Sequence, residues 1–215
     1  MAQRNMTFMD RLLSEADHAL RTVEARPHAR QQRPDMDTTG PRDSVSAEAA
    51  ELSASLMRVN HSGEVAAQAL YRGQALVASD PALRSELLQA ADEEHDHLAW
   101  CQDRAEELGG RTSLLAPFWY AGSFAIGMAA GVAGDRYSLG FLDETEKQVA
   151  EHLDGHLQRL PAEDERSRRI LQRMRSDELK HARRARELGG QELPATAKKA
   201  MRALSKVMTS VSFRI

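Results

Sequence analysis

A Glu-x-x-His motif occurs twice in this sequence, each time with an upstream glutamate at a similar distance. The two motifs are Glu94 with His97 and Glu178 with His181, and the upstream acids, about thirty residues earlier in each case, are Glu64 and Glu146. A glutamate and a histidine three residues apart lie on one face of a helix, so both side chains can reach one metal ion. A third copy, Glu15 with His18, has no upstream glutamate at that distance and is expected to lie on the surface.

The acids of the repeated pattern fall inside apolar helix faces. At about 100° per residue, Glu94 and Glu178 lie in the middle of their stripes, Glu146 is the one inward acid of its segment, and Glu64 lies on a stripe's flank. Burying an unpaired carboxylate costs several kcal/mol, and these faces offer two imidazoles but no lysine or arginine. Two divalent cations would balance four carboxylates and leave both histidines neutral. The sequence therefore predicts a site for two metal ions.

The donor types narrow the choice of metal. Oxygen-rich ligation with two imidazoles suits iron or manganese better than structural zinc. One glutamate from each of two helices, plus Glu-x-x-His from each of two others, is typical of ferritin-like di-iron and di-manganese proteins. The single cysteine, Cys101, excludes an intramolecular disulfide and Cys-ligated zinc or iron–sulfur sites. Tyr71 and His152 fall near the same faces, where core packing and contact with the ligands are both open interpretations.

Four long periodic segments carry these residues, and turn signals mark their ends. The first runs from about residue 46 to Ser79-Asp80-Pro81, and the second from there to Gly109-Gly110. The third runs from near Tyr137 to Pro161, and the fourth from Pro161 to Gly189-Gly190. Alanine, leucine, glutamate and arginine recur throughout, which favours helix. The predicted fold is all-α, a ferritin-like four-helix bundle over residues 47–190.

Three further segments surround the bundle. Residues 1–24 predict a peripheral N-terminal helix, and the Pro- and charge-rich stretch 25–46 predicts a linker. Residues 112–134, which contain no charge, form an insertion between the second and third bundle helices. Residues 191–215 predict a C-terminal amphipathic helix whose charged residues from position 195 onward are all basic: Lys198, Lys199, Arg202, Lys206 and Arg214.

The uncharged insertion raises the question of a membrane span. If residues 112–134 crossed a bilayer, Glu94 and His97 would lie on the opposite side from Glu146 and Glu178, and no shared site would form. The segment must then run along the bundle as the long crossover that a ferritin-like fold requires. Together with the helix at 195–215 we expect it to contact the membrane surface. Its aromatic residues are expected to line an opening at that surface: Phe118, Trp119, Tyr120 and Phe124.

Charge and composition exclude other classes of protein. The formal net charge is −3 over 215 residues, so a chain-wide basic field for nucleic acid is absent. The first residues have charges every few positions and no continuous apolar run, which does not fit a secretory signal. The expected location is therefore peripheral, on the cytoplasmic side of the cell membrane.

Four sequence stretches resemble the demethoxyubiquinone hydroxylases of ubiquinone biosynthesis. They are Arg58-Val-Asn-His-Ser-Gly-Glu64, Glu94-His-Asp-His97, Glu146 with His152 behind it, and Asp177-Glu-Leu-Lys-His181, within a likeness covering about residues 50–215. The resemblance implies a monooxygenase with two iron ions that uses O2 to hydroxylate the unsubstituted ring carbon of a polyprenylated methoxy-methyl-benzoquinol. It also implies that the six repeated Glu and His residues are the iron ligands, and it places His152 near the site. With such a substrate, the aromatic residues of the 112–134 segment are expected to line an entry for the prenyl chain.

Two other interpretations of the sequence remain open. A ferritin-like iron oxidase or store would share the six candidate ligands but would not need the aromatic insertion or the basic tail. A non-enzymatic, membrane-associated helical scaffold would keep its inward acids salt-bridged. If the chain is an oxygenase, reducing equivalents must come from a partner protein, from NADH or from the quinol, because no G-x-G-x-x-G follows a strand. Other ubiquinone-biosynthesis proteins are candidate partners.

Overall fold

Residues 7–35 and 45–215 are described by a computed structural model, and within these ranges the chain forms seven helices and no strand. The helices are α1 (Phe8–Glu24), α2 (Ala47–Val77), α3 (Pro81–Glu107), α4 (Ala116–Val132), α5 (Asp135–Arg159), α6 (Glu165–Glu187) and α7 (Ala195–Ser212). Helices α2 and α3 pair, as do α5 and α6, and the two pairs pack into one bundle. This confirms the predicted all-α, ferritin-like fold. The exact domain limits remain predictions, and residues 36–44 of the predicted linker lie outside the described residues.

Two apolar clusters fill the bundle at different levels. One cluster contains Leu56, Met57, Trp100, Cys101, Leu153, Leu171 and Met174, and the other contains Tyr71, Leu83, Leu87, Leu139 and Leu142. On each of the four bundle helices, the inward acid lies between the residues that the helix gives to the two clusters. The polar layer is thus enclosed above and below by apolar side chains, which keeps its charges away from water.

Two helix starts differ from the sequence prediction. Helix α6 begins at Glu165 rather than at Pro161, because Asp164 caps it by accepting the Ser167 backbone N–H at 3.0 Å. The same carboxylate accepts Arg104 Nη2 at 2.7 Å, which ties α3 to the start of α6. Helix α5 begins at Asp135 directly after Gly134, whose φ of +114° suits glycine.

The N-terminal region packs closely against the bundle. Glu15 is buried and forms an ion pair with Arg72 at 2.7 Å, so the prediction that the Glu15 motif lies on the surface is wrong. Residues 25–35, within the predicted linker, contain no helix but dock on α3 and α6. Arg33 and Asp35 are buried there, and Asp35 accepts Arg166 Nε of α6 at 2.7 Å. A stretch with no apolar period is held here by ion pairs, which periodicity cannot detect.

Helix α4 is the crossover, and it runs along α2. None of the helices in the described ranges is long and apolar enough to span a membrane. Three glycines bring the two helix backbones together: Gly73, Gly127 and Gly131. A Cβ atom on Gly127 would lie 2.1 Å from the Leu70 carbonyl oxygen, a backbone atom that cannot move aside cheaply. This close approach fixes the position of α4 over the bundle.

We expect the Gly127→Ala substitution to lower the free energy of unfolding by about 1–3 kcal/mol, the usual effect of overpacking. Gly155→Ala, inside α5 and four residues before the end of that helix, is the matched control, because nothing lies within 4 Å of its added Cβ. That substitution should stabilise the protein by roughly 0.5–1 kcal/mol through helix propensity. Urea denaturation measures both changes. Equal shifts for the two variants would contradict the close packing of α4 on α2.

Candidate metal centre

The structure brings the predicted ligand residues together in one buried layer. Glu64 comes from α2, Glu94 and His97 from α3, Glu146 from α5, and Glu178 and His181 from α6. They form two groups whose ligand atoms lie within 4.8 Å of one another: Glu64, Glu94, His97 and Glu178 in the first, and Glu94, Glu146, Glu178 and His181 in the second. Glu94 and Glu178 belong to both groups. This arrangement suits two adjacent metal ions that share these two carboxylates.

Both histidines turn Nδ1 toward the shared carboxylates. His97 Nδ1 lies 2.9 Å from Glu94 Oε2 and 3.3 Å from Glu178 Oε1. His181 Nδ1 lies 3.1 Å from Glu94 Oε1. Each of these nitrogen atoms is therefore in place to bind a cation held between the carboxylates.

Two outer acids that the sequence analysis did not select orient the histidine rings. Asp177 Oδ2 lies 3.5 Å from His97 Nε2, and Glu93 Oε2 lies 2.7 Å from His181 Nε2. Carboxylates on the far side of metal-binding imidazoles fix their tautomer and raise their basicity. A sequence signal was available, because each Glu-x-x-His motif is directly preceded by an acid: Glu93 before Glu94 and Asp177 before Glu178.

Protons balance the charges of this layer when no metal is bound. Burial and neighbouring carboxylates raise the pKa of Glu64 and of Glu146 well above the usual range. Burial alone would raise the pKa of Glu94 too, but His97 and His181 lower it below its usual range. The nearby carboxylates outweigh burial and raise the pKa of both histidines.

Against the effect of burial, the two nearby histidines also lower the pKa of Glu178. The four glutamates and two histidines together carry no net charge when Glu64, Glu146 and both imidazoles hold protons. Two divalent cations would give the same neutrality in place of these four protons. Among the described residues, Glu146 Oε2 has no hydrogen-bond donor, and the histidine nitrogens near Glu94 Oε1 and Glu178 Oε1 lie outside hydrogen-bonding geometry. Acceptors left open inside a protein call for a partner, which fits a site built for cations.

The sequence did not decide the roles of Tyr71 and His152. In the structure Tyr71 contacts a candidate ligand, whereas His152 packs against another histidine. The Tyr71 hydroxyl donates a hydrogen bond to Glu146 Oε1, and burial together with Glu146 raises the pKa of Tyr71, so the hydroxyl keeps its proton. His152 stacks edge-on with His156 at 4.0 Å between ring centroids, and His156 Nδ1 lies 2.8 Å from Asn60 Oδ1. Burial lowers the pKa of His152 to about 4, so its imidazole is neutral near pH 7.

A groove of about 490 Å³ reaches the buried layer of candidate ligands from the surface. Helices α2, α4, α5 and α7 line it, mostly with apolar side chains, and Glu64 and His152 are among the lining residues. We refer to it as the α4–α7 groove. Phe118, which is 71% exposed, and Trp119 line it as predicted. The same prediction for Tyr120 and Phe124 is wrong, because these rings stack on each other in a separate apolar cluster.

Comparison with known proteins identifies the family. The model of the family described as ubiquinone biosynthesis protein COQ7 matches residues 51–212. The chain belongs to this family. The matched COQ7 region begins within α2 and ends at the last residue of α7, so it contains all six candidate ligands and the groove.

Curated relatives are similar over almost the whole chain. The 3-demethoxyubiquinol 3-hydroxylase of Chromobacterium violaceum is 54% identical over 208 residues, which cover 97% of this chain and 100% of that protein. The enzyme of the same name from Ralstonia pickettii is 52% identical over 97% of this chain and 100% of its own length. That from Acinetobacter baumannii is 53% identical over 98% and 99%. These COQ7 alignments therefore include most of the N-terminal region as well.

Proposed function

We propose that this protein is a 3-demethoxyubiquinol 3-hydroxylase. It inserts one atom of O2 at the unsubstituted ring carbon of a polyprenylated methoxy-methyl-benzoquinol, a step of ubiquinone biosynthesis. The three curated relatives described above have this name, and each aligns with this chain over nearly its full length. The observation that carries the proposal is the apolar groove that Glu64 helps to line, because it joins a candidate cation site to a path for a hydrophobic substrate.

The metal is proposed to be a pair of iron ions held by Glu64, Glu94, His97, Glu146, Glu178 and His181. When bound, two ferrous ions supply electrons for reduction of O2. The chain's own residues provide the enclosure: apolar clusters above and below the layer exclude water and protect a strong oxidant from side reactions. Tyr71 holds Glu146 in one orientation by its hydrogen bond.

His152 is proposed to position the quinol ring. Its Nε2 atom is buried and has no hydrogen-bond partner among the described residues, and its side chain lines the α4–α7 groove together with Glu64. A neutral imidazole can donate to or accept from a ring oxygen. One hydrogen bond of this kind would fix the ring with its unsubstituted carbon toward the metal layer, while the prenyl chain lies along the apolar part of the groove.

The ferritin-like alternative shares the ligands but not the need for this groove. An iron store takes up hydrated ions, and an apolar path lined by Phe118, Trp119 and Leu204 does not suit such a substrate. The scaffold alternative requires the inward acids to be neutralised by basic side chains. Of the described residues, only the two histidines approach Glu94, Glu146 and Glu178 closely enough for an ion pair, so without a metal two of the four glutamates must carry protons as well.

The substrate's location implies contact with a membrane. A polyprenyl quinol resides in the bilayer, so the groove must open at its surface, and we propose a peripheral position on the cytoplasmic side of the cell membrane. Leu204 and Val207 of α7 are 58% and 57% exposed beside the groove. Not every basic residue of α7 is available to bind headgroups, because Lys198 forms an ion pair with Glu192 at 2.9 Å. Lys199 and Lys206 remain exposed to meet anionic headgroups.

We expect the double substitution of Leu204 and Val207 by glutamate to reduce flotation with anionic vesicles by about tenfold or more, because it removes apolar contact and adds repulsion. Turnover of a short-tailed, water-soluble quinol should change much less than turnover of a long-tailed quinol in vesicles. Leu188→Glu, an exposed leucine at the end of α6, is the control. Equal flotation of the double variant and the control would contradict docking through α7.

The reaction also needs two electrons and two protons for each O2, since one oxygen atom leaves as water. A partner protein, NADH or the quinol itself is the donor, and other ubiquinone-biosynthesis proteins are the proposed partners. The function is tested by mixing reduced, iron-loaded protein with the demethoxyquinol and O2 and detecting the hydroxylated quinol by mass spectrometry. Iron oxidation that is unaffected by quinol and yields no hydroxylated product would favour the iron store.

A further inference from the structure

A second, smaller cavity of about 350 Å³ lies away from the metal layer, between the first half of α2 and the turn that follows α3. Its lining includes Glu51, Ala54 and Arg58 of α2 and Gly109, Gly110 and Arg111 of the turn. The two arginines give it a chemistry different from the apolar groove. We refer to it as the Arg58–Arg111 pocket.

The turn after α3 places the two arginines side by side. Gly109 has a φ of +78°, and a Cβ on Gly110 would lie 2.7 Å from the Ala54 Cβ, so both positions favour glycine. This close approach lays Arg111 against α2 one turn beyond Ala54. Arg58 Nε then donates to the Arg111 carbonyl oxygen at 3.1 Å.

Neither arginine is neutralised by a carboxylate. Among residues 7–35 and 45–215, no aspartate or glutamate oxygen lies within ion-pair distance of Arg58 or Arg111. The partners of Arg58 are the carbonyl oxygens of Arg111 and Phe213 and the Ser55 hydroxyl. By contrast, the buried arginines Arg33, Arg72 and Arg104 each bind a carboxylate.

The charges in the pocket are therefore unbalanced. Burial and the charge of Arg111 lower the pKa of Arg58, which means that the two guanidinium groups repel each other. Glu51 lines the same cavity but lies beyond ion-pair distance of both. Two neighbouring guanidinium groups beside a cavity, with N–H donors to spare, are the arrangement that binds tetrahedral oxyanions.

We propose that the Arg58–Arg111 pocket binds a phosphate group, either the headgroup of a phospholipid or free phosphate. Its surroundings favour the lipid source. Leu114, three residues after Arg111, is 65% exposed, and the exposed Ile215 lies two residues after Phe213, whose carbonyl oxygen accepts a hydrogen bond from Arg58. A lipid phosphate held here would lie at headgroup depth beside an apolar surface. The lipid source, but not phosphate binding itself, rests on the membrane contact proposed above.

Calorimetric titration of the full-length protein with inorganic phosphate, and separately with a short-chain phosphatidylglycerol below its micelle concentration, tests the pocket. Arg111→Gln should weaken binding about tenfold, as expected for loss of a charged hydrogen bond. Glu51→Gln should tighten binding about two- to threefold, because it removes a negative charge that repels the anionic ligand. A merely unfolded variant cannot give this second result. Arg183→Gln, an exposed arginine of α6, is the control with the same charge loss.

The outcomes distinguish lipid from free phosphate as the ligand, and they distinguish the pocket from the proposed hydroxylase function. Tighter binding of phosphatidylglycerol than of phosphate, with the expected variant order, assigns the pocket to lipid; the reverse affinity with the same order assigns it to free phosphate. Because phosphate also binds iron, the difference between variants is the readout. No dependence on Arg111 and Glu51, or equal weakening by Arg183→Gln, would overturn the site. Hydroxylation of a short-tailed quinol by each variant reports separately on the proposed function.

Discussion

Alanine at Glu94 or at Glu178 should eliminate quinol hydroxylation, with a loss well beyond the roughly 10–100-fold typical of residues that only support a metal ligand. Both carboxylates belong to both groups of candidate ligands, so either substitution damages two metal positions at once. Bound iron, measured by elemental analysis, should fall from about two per chain. Helical content, measured by circular dichroism, should stay nearly unchanged, because the apolar clusters on either side of the layer remain.

Glu86→Ala is the matched control for this prediction. Glu86 is also a glutamate of α3, but it pairs on the outside of the bundle with Arg184 at 2.8 Å. Exposed ion pairs contribute little to stability, so this variant should keep its iron and its turnover. Purified protein with full activity and no bound transition metal would show that the carboxylate layer is structural and that the proposed chemistry is wrong.

Filling the α4–α7 groove should reduce kcat/KM for the quinol by about 100-fold or more, because a substrate ring displaced by about 1 Å already loses much of its rate. Gly63 is the position for this test. It lines the groove next to Glu64, and nothing lies within 4 Å of an added Cβ, so Gly63→Phe can occupy the groove without backbone strain. Iron content should stay at the level of the unsubstituted protein, since no ligand is removed.

Gly63→Ala is the control that distinguishes the effect of filling the groove from the effect of replacing the glycine itself. The alanine methyl group occupies little of the groove and should leave turnover within a few-fold, while it favours helix at this position. Steady-state kinetics with a short-tailed quinol, alongside iron analysis, gives the comparison. Full turnover by Gly63→Phe with its iron in place would mean that the substrate reaches the metal layer by another path.

The sequence predicts the buried layer of glutamates and histidines because the pattern that marks these residues is local. Glu94 with His97 and Glu178 with His181 share one helix turn each, and an acid inside an apolar stripe is visible from spacing alone. The fold follows from the same periodicity. The ligand role of these residues stays a proposal, but the structure places them together as the spacing indicates.

Tertiary packing decides what the sequence did not reveal. Periodicity cannot show that Phe118 faces the groove while Tyr120, two residues later, turns into another cluster, because α4 is apolar on all sides. Nor does it show that Glu15 meets Arg72, since that pair joins residues far apart in the chain. The roles of Glu93 and Asp177 depend on the histidine Nε2 atoms, which face away from the ligand layer. The Arg58–Arg111 pocket depends on how the turn after α3 packs against α2.

Oxygen isotope labelling tests the central claim most directly. Reduced, iron-loaded protein is mixed with demethoxyquinol under oxygen-18 gas, and the product is analysed by mass spectrometry, with the metal-free protein in parallel. The account predicts hydroxylated quinol that carries one atom of oxygen-18, formed only when iron is present. Product whose new oxygen comes from water, or equal product without iron, would contradict a di-iron monooxygenase that uses O2 at this carboxylate layer.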